Sequence, residues 1–413
     1  MLLTACGGGN DRDRTRARLR LVNASGYFGL DLRVAKSVRQ ASVAYGEAAA
    51  YVEIDTSEAD TDVTASTSAT ALQSLLPVLK RDNSYTLLAT GPEGALRVRL
   101  LDDNLGQPEV GRSRLRLVHG AADAGAVDVY LTAAGDSLAT AVPLQAGLAP
   151  GAEPVLTEAA TATWRLRVTA AGSKADLRLD LPAITLAERG TATLVLTATR
   201  GGALVNALLL AQQGAITRAD VAHARVRVVA GVALGGVVSA QVSSTVLMNS
   251  VGSPAVGLYA LVASSTAAQQ VQLSVDGRAL MAPPVVLQRG ADYTLMLSGL
   301  PETPRADWLS DDNRLPVDRG RTKLRLVHGL AGFSGTLSLT ADFLPVASGV
   351  LPGQASAYGE VQASNLAQLA VGGSGQAQAV FRAVEQQLQA DAVYSLFMVG
   401  TLAAPVGILR RDR

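Results

Sequence analysis

The sequence predicts an all-β chain of four tandem domains, each an antiparallel sandwich or barrel of about 100 residues. Three observations carry this. The same short strand opens four times, as RLRLVNAS from Arg18, RLRLVHGA from Arg114, RVRVVAGV from Arg225 and KLRLVHGL from Lys323; self-similarity at a near-constant period marks a repeated unit. Apolar and polar residues alternate along most segments, which is the period of half-buried strands. Turn residues recur every 8 to 12 positions or so.

The elements follow in order. Residues 1–16 read as a tether, 17–111 as the first repeat, 112–222 as the second, 223–320 as the third and 321–413 as the fourth. In each opening strand the apolar pair faces one side: Leu19 and Leu21, Leu115 and Leu117, Val226 and Val228, Leu324 and Leu326. The basic residues between them, Arg18/Arg20, Arg114/Arg116, Arg225/Arg227 and Lys323/Arg325, face the other. That placement predicts exposed cations, either guarding a sheet edge against pairing or forming a basic stripe for an anionic envelope polymer. Val127, Val129 and Leu131 alternate in the same way, and Val271, Leu273 and Val275 do so up to the hairpin pair Asp276-Gly277. Each repeat closes on a second shared strand: SYTLLATG from Ser84, TATLVLTA from Thr191, DYTLMLSG from Asp292 and VYSLFMVG from Val393. Leu101-Asp102-Asp103-Asn104 and Ser310-Asp311-Asp312-Asn313 match as junctions. Tyr45-Gly46-Glu47 in the first repeat parallels Tyr358-Gly359-Glu360 in the fourth.

Composition narrows the function classes. Hydrophobic residues make up 48% of the 413 and charged residues 17%, the balance of a globular chain. The net charge of +1 gives no field for tracking phosphates, so nucleic acid is not an expected partner. No apolar run is long enough for a spanning helix. The single cysteine, Cys6, cannot form an intramolecular disulfide. Its context is informative, because Leu3-Thr4-Ala5-Cys6 resembles a bacterial lipobox and Gly7-Gly8-Gly9-Asn10 resembles the flexible tether that follows one. A basic and apolar signal-peptide segment would precede it if translation starts upstream of Met1. Lipidation of Cys6 would tie the chain to a membrane. By resemblance to sorting rules in Gram-negative bacteria, Gly7 directs such a lipoprotein to the outer membrane, facing the periplasm or the surface.

A family resemblance enters at the second repeat. The run His119-Gly120-Ala121-Ala122-Asp123-Ala124-Gly125-Ala126-Val127-Asp128-Val129-Tyr130 resembles the opening of a bacterial domain family of unknown function. That family occurs as tandem copies in secreted proteins and lipoproteins. Its opening reads R-[VL]-R-[VL]-x-H-A-S-P-D-A-P-x-V-D-V-Y, and its end, G-x-x-Y-T-[VL]-x-A-x-G, resembles Ser84–Gly91 and Asp292–Gly299. Asn23 and Ala230 stand where the histidine is expected in repeats one and three. The resemblance implies four immunoglobulin-like antiparallel β-sandwiches and no known activity.

Catalytic and metal signals are weak. Gly372-Gly373-Ser374-Gly375 and Gly332-Phe333-Ser334-Gly335 each fall one spacer short of G-x-S-x-G. There is no HExxH, P-loop or GxGxxG, and no lysine has a serine three positions before it. His119 and His328 share a repeat position and are expected to satisfy a turn carbonyl, with ligand contact as the sharper alternative. Asp55, Glu58, Asp60 and Asp62 form an acidic run that could hold calcium but lacks EF-hand spacing. Trp308 is the best candidate for an exposed contact aromatic. The reading is thus a non-enzymatic cell-envelope lipoprotein without a cofactor, serving as a structural spacer or protein-interaction scaffold. Its partner would be an envelope protein or polysaccharide. The alternative is a carbohydrate- or peptidoglycan-binding module.

Overall fold

A computed structural model describes residues 15–57, 59–318 and 320–413. Four β-sandwiches follow one another, each made of two sheets. In the first repeat the strands are β1 (Arg16–Ser25), β2 (Gly29–Val34), β3 (Ser37–Ala44), β4 (Val52–Asp55), β5 (Thr61–Ala65), β6 (Ala71–Leu75), β7 (Ser84–Gly91) and β8 (Arg97–Asp102). They form sheets ordered β4-β1-β7-β8 and β3-β2-β5-β6. The other three repeats reproduce this plan; in the sheet that holds the opening strand the second adds a fifth strand, Ile216–Ala219, and the third has its edge strand in two pieces, Ala255–Val256 and Ala260–Ala263.

One pairing departs from the antiparallel expectation. The opening strand β1 runs parallel to the closing strand β7, with Leu21 opposite Leu87. The same parallel pair recurs as Arg112–His119 beside Thr191–Ala198, His223–Ala230 beside Asp292–Leu300, and Arg321–His328 beside Ala392–Gly400. The first and last long strands of a repeat thus lie side by side in mid-sheet, and β1 is not an edge strand.

Alternation places the apolar side chains as expected. Leu19 and Leu21 enter the first sandwich core with Leu30, Leu32, Val63, Tyr85 and Leu87. Leu324 and Leu326 do so in the fourth, with Leu337, Leu339, Leu369 and Leu396. The closing strand ends in a glycine for a steric reason. Gly91, Gly299 and Gly400 have positive φ (98°, 93° and 84°). A Cβ there would lie 2.5–2.6 Å from the carbonyl oxygens of Ala95, Thr303 and Ala404. L-residues disfavour that backbone region.

The chain divides into two compact units, one of residues 1–198 and 204–221, the other of 199–203 and 222–413. Each unit holds a pair of repeats. Within a pair, the sheet that carries the opening strand is covered on its second face by its counterpart in the neighbouring repeat. Val22, Leu88, Leu101, Val118, Val195, Leu208 and Leu210 form that layer in the first unit. Val229, Met296, Leu309, Val327, Phe397 and Val399 form it in the second. Among the described residues no helix is long and apolar enough to cross a membrane.

Candidate functional site

Six of the eight cations of the opening strands lie buried in or beside these inter-repeat layers, while Arg18 is exposed as expected and Arg114 is half-buried. This corrects the expectation of exposed arginines: Arg227 and Arg325 are each only 1% exposed, and Arg20, Arg116, Arg225 and Lys323 are also buried. Alternation did put them on the face opposite the sandwich core, but that face belongs to an interface.

The second unit shows the arrangement in full. The Arg227 Nε donates to Thr294 Oγ1 at 2.8 Å, and its Nη1 donates to an Asp412 carboxylate oxygen. Arg325 does the same in reverse, Nε to Ser395 Oγ at 2.8 Å and Nη2 to Asp311 Oδ1 at 2.5 Å. Each carboxylate keeps its second oxygen for its own repeat. Tyr259 and Thr294 donate to Asp311 Oδ2, both at 2.6 Å, while Ser395 at 2.5 Å and Tyr358 at 3.5 Å donate to Asp412 Oδ2. The tyrosine rings cover the guanidinium planes, Tyr259 at 4.6 Å from Arg227 and Tyr358 at 4.7 Å from Arg325. Repeat three therefore lends a carboxylate to repeat four and receives one back, the reciprocity of a two-fold, self-complementary contact.

Charge and burial oppose each other here, and charge wins. Burial alone would raise the Asp311 carboxyl, but Arg325 and Arg227 hold it below the ordinary carboxylate value. Burial works against the Arg325 charge, and Asp311, with Tyr358 and Asp412 adding to it, more than restores it. The hydroxyls of Tyr259 and Tyr358 are pushed well up, first by burial and then by neighbouring carboxylates, so both stay protonated donors.

The flanking cations add a second ring. Arg225 grips Asp292 through Nε at 2.9 Å and through Nη2. Lys323 donates to the carbonyls of Asp312 and Arg314 at 3.0 and 2.9 Å.

The first unit carries the same positions with two exchanges, both in repeat two. Asp103 accepts from Tyr51 at 2.7 Å and Thr86 at 2.5 Å, and its Oδ1 lies 4.0 Å from Arg116. The backbone amides of Asp103 and Asp412 donate to Ser84 and Val393 carbonyls. In repeat two the residue that makes this backbone bond, to Thr191, is Gln212. Leu156, opposite Arg116, stands where the other repeats place a tyrosine. These equivalences shift two sequence alignments. The partner of Tyr358 is Tyr51, not Tyr45, and Asp103 matches Asp311, one place off the shared Asp-Asp-Asn run.

The other singled-out residues fall elsewhere. His119 and His328 are buried, not presented as surface contacts. The His119 Nε2 donates to Gly125 O at 2.8 Å and its Nδ1 accepts from Ala121 N at 3.3 Å. His328 does likewise with Gly335 O at 3.1 Å and Leu330 N at 3.3 Å, and stacks on Phe333. Burial lowers both pKa values, partly offset by the carbonyl bond, and holds the rings neutral. Trp308 is likewise not an exposed contact aromatic. Its Nε1 donates to Pro283 O at 3.0 Å, its ring meets Tyr293 edge-on, and it packs against the third core. In the acidic run, Asp55 accepts from Ser57 and Thr15, and Asp62 accepts from Ser74. Glu58 and Cys6 lie outside the described residues. No three metal-ligating side chains converge among the described residues.

One open groove of about 390 Å³ lies on the third repeat, over Val237–Val242, Thr245–Gly252 and Val271–Val275. Its polar lining is Ser239, Gln241, Asn249, Gln272 and Ser274, with no charged side chain.

Fold and interfaces define an immunoglobulin-like tandem-repeat protein whose repeats associate in pairs, the second pair through exchanged ion pairs. A model for a domain of unknown function (DUF4397) matches residues 17–130, the first repeat and the opening of the second. No curated protein matches the chain. Among solved structures, a proposed cell adhesion protein from Bacteroides fragilis NCTC 9343 is similar at 10% identity, covering 76% of this chain and 87% of that one, with a TM-score of 0.15.

Proposed function

We propose that the chain is a non-enzymatic structural spacer or protein-interaction scaffold of a bacterial cell envelope. In this reading Cys6 carries a lipid, and the protein is an outer-membrane lipoprotein facing the periplasm or the surface. The observation that supports it most is the reciprocal exchange of Asp311 and Asp412 between repeats three and four. Buried ion pairs add little net stability but penalise any docking that leaves one charge alone. They suit a molecule whose task is to hold neighbouring domains in one fixed arrangement, with loops at the domain ends left for contacts. Arg20, Arg116, Arg227 and Arg325, half of the cations that would supply a basic stripe, are buried.

The anchor is tested by expressing the full-length gene product in a Gram-negative host with a palmitate analogue. Label on the wild type, lost with release into the soluble fraction in Cys6→Ser, supports the reading. Unlabelled, soluble wild type overturns the anchor.

The groove on the third repeat favours a second reading, a carbohydrate- or peptidoglycan-binding module. Uncharged amides and hydroxyls match sugar hydroxyls without demanding a charged ligand. Calorimetric titration with soluble peptidoglycan fragments tests it. Heat abolished by Gln241→Ala with Gln272→Ala supports it, and no heat in the wild type rejects it.

A further inference from the structure

We propose that the interface between the first and second repeats binds a small monovalent anion, of which chloride is the simplest, beside Arg20 and Arg116. The two units differ in their count of buried charges. In the second unit two buried guanidiniums, Arg227 and Arg325, meet two carboxylates, Asp412 and Asp311. In the first unit the equivalent guanidiniums, Arg20 and Arg116, are 3% and 6% exposed, and Asp103 fills only one of the two matching carboxylate positions, because Gln212 takes the other.

The single carboxylate does not satisfy both. Asp103 uses Oδ2 for Tyr51 and Thr86, and its Oδ1 stands 4.0 Å from Arg116, beyond a hydrogen bond. Arg116 donates instead to the Asp102 carbonyl at 2.6 Å. Burial pulls the Arg116 pKa down, with Asp103 and Asp102 opposing it. Arg20 has neutral acceptors only: Thr86 Oγ1 at 2.9 Å and the Gly214 carbonyl at 2.7 Å. Its Nη2 has no hydrogen-bond partner among the described residues.

An arginine does not shed its proton to escape burial. An unpaired buried charge costs several kcal/mol after relaxation. The missing negative charge must then come from solution. Tyr51 covers one face of the Arg20 guanidinium at 4.5 Å, and the unpartnered Nη2 offers its N–H groups to an ion. Nη2 is itself buried, which selects a compact ion. Gln212 Oε1, also buried and unpartnered among the described residues, would have to turn away from the ion, while its Nε2 now donates to Leu105 O at 2.9 Å.

Hydrogen exchange on the full chain, in sodium chloride against sodium gluconate at equal ionic strength, tests the site. Chloride should slow exchange of β1 and of Arg112–His119 saturably, by about tenfold at ten times its dissociation constant. His223–Ala230 and Arg321–His328 should not respond. Gln212→Asp, which restores the fourth carboxylate, should remove the chloride effect, and chloride-35 line broadening by the wild type should fall in that variant. Equal exchange in the two salts, the same response in both units, or a chloride effect that survives Gln212→Asp would overturn the proposal.

Discussion

Asp412 does for Arg227 what Asp311 does for Arg325, and these side chains are where the account is most exposed to test. Arg227→Met leaves Asp412 buried with its own repeat's hydroxyls but without a cation. Urea denaturation should show a loss of about 3–5 kcal/mol, the usual cost of removing one partner from a buried pair. A change near zero would mean that water reaches the pair. The histidines give a pH prediction. Both native rings are held neutral with lowered pKa values. The unfolded chain binds their protons below about pH 6.5, where the native chain does not. Stability is therefore fully present above that value and falls as pH drops toward the native pKa values. Each ring contributes up to about 1.4 kcal/mol per pH unit. Asn23 makes the equivalent bonds in the first repeat, accepting from Ser25 N at 3.0 Å and donating to Tyr27 O at 3.1 Å. His328→Asn should then keep the fold and flatten the slope of urea midpoint between pH 7.5 and 5.5.

At the scale of the strand, alternation was legible and its consequence was not. The sequence separates Leu19 and Leu21 from Arg18 and Arg20, and the structure keeps that separation. What covers the second face is a non-local fact, set by a strand about 100 residues away. Leu88 illustrates it: alternation turns it away from its own core, yet it is fully buried between repeats. Leu88→Ala should therefore cost about 2–5 kcal/mol, the same range expected of Leu87→Ala in the sandwich core. A cost near zero by chemical denaturation would place Leu88 in solvent. The clusters were partly legible too. The opening arginines and closing hydroxyls stand out in the repeats, but Tyr51 and Gln212 emerge only from strand register. The junction Asp-Asp-Asn runs align one residue away from the true equivalence. The histidine loops follow their expected geometry because they are local, each ring bonding within seven residues of itself.

At the scale of the whole molecule, the repeat is the unit of sequence and the pair is the unit of structure. Each sandwich has its own core, but the sheet with its opening strand is finished only by its neighbour. An isolated second repeat, residues 112–222, would expose Val118, Val195 and Leu208 together with Arg116, and should associate or lose cooperativity in circular dichroism melts. Two-repeat pieces should not. The central claim is that exchanged carboxylates make two repeats one cooperative body. Hydrogen exchange with mass-spectrometric readout on the full chain carrying Asp412→Asn tests it most directly. Asp412 belongs to repeat four in sequence, and its cation belongs to repeat three. Protection should fall together in Arg321–His328 and His223–Ala230, while β1 and Arg112–His119 keep wild-type rates. A loss confined to the fourth repeat, with His223–Ala230 unchanged, would contradict it.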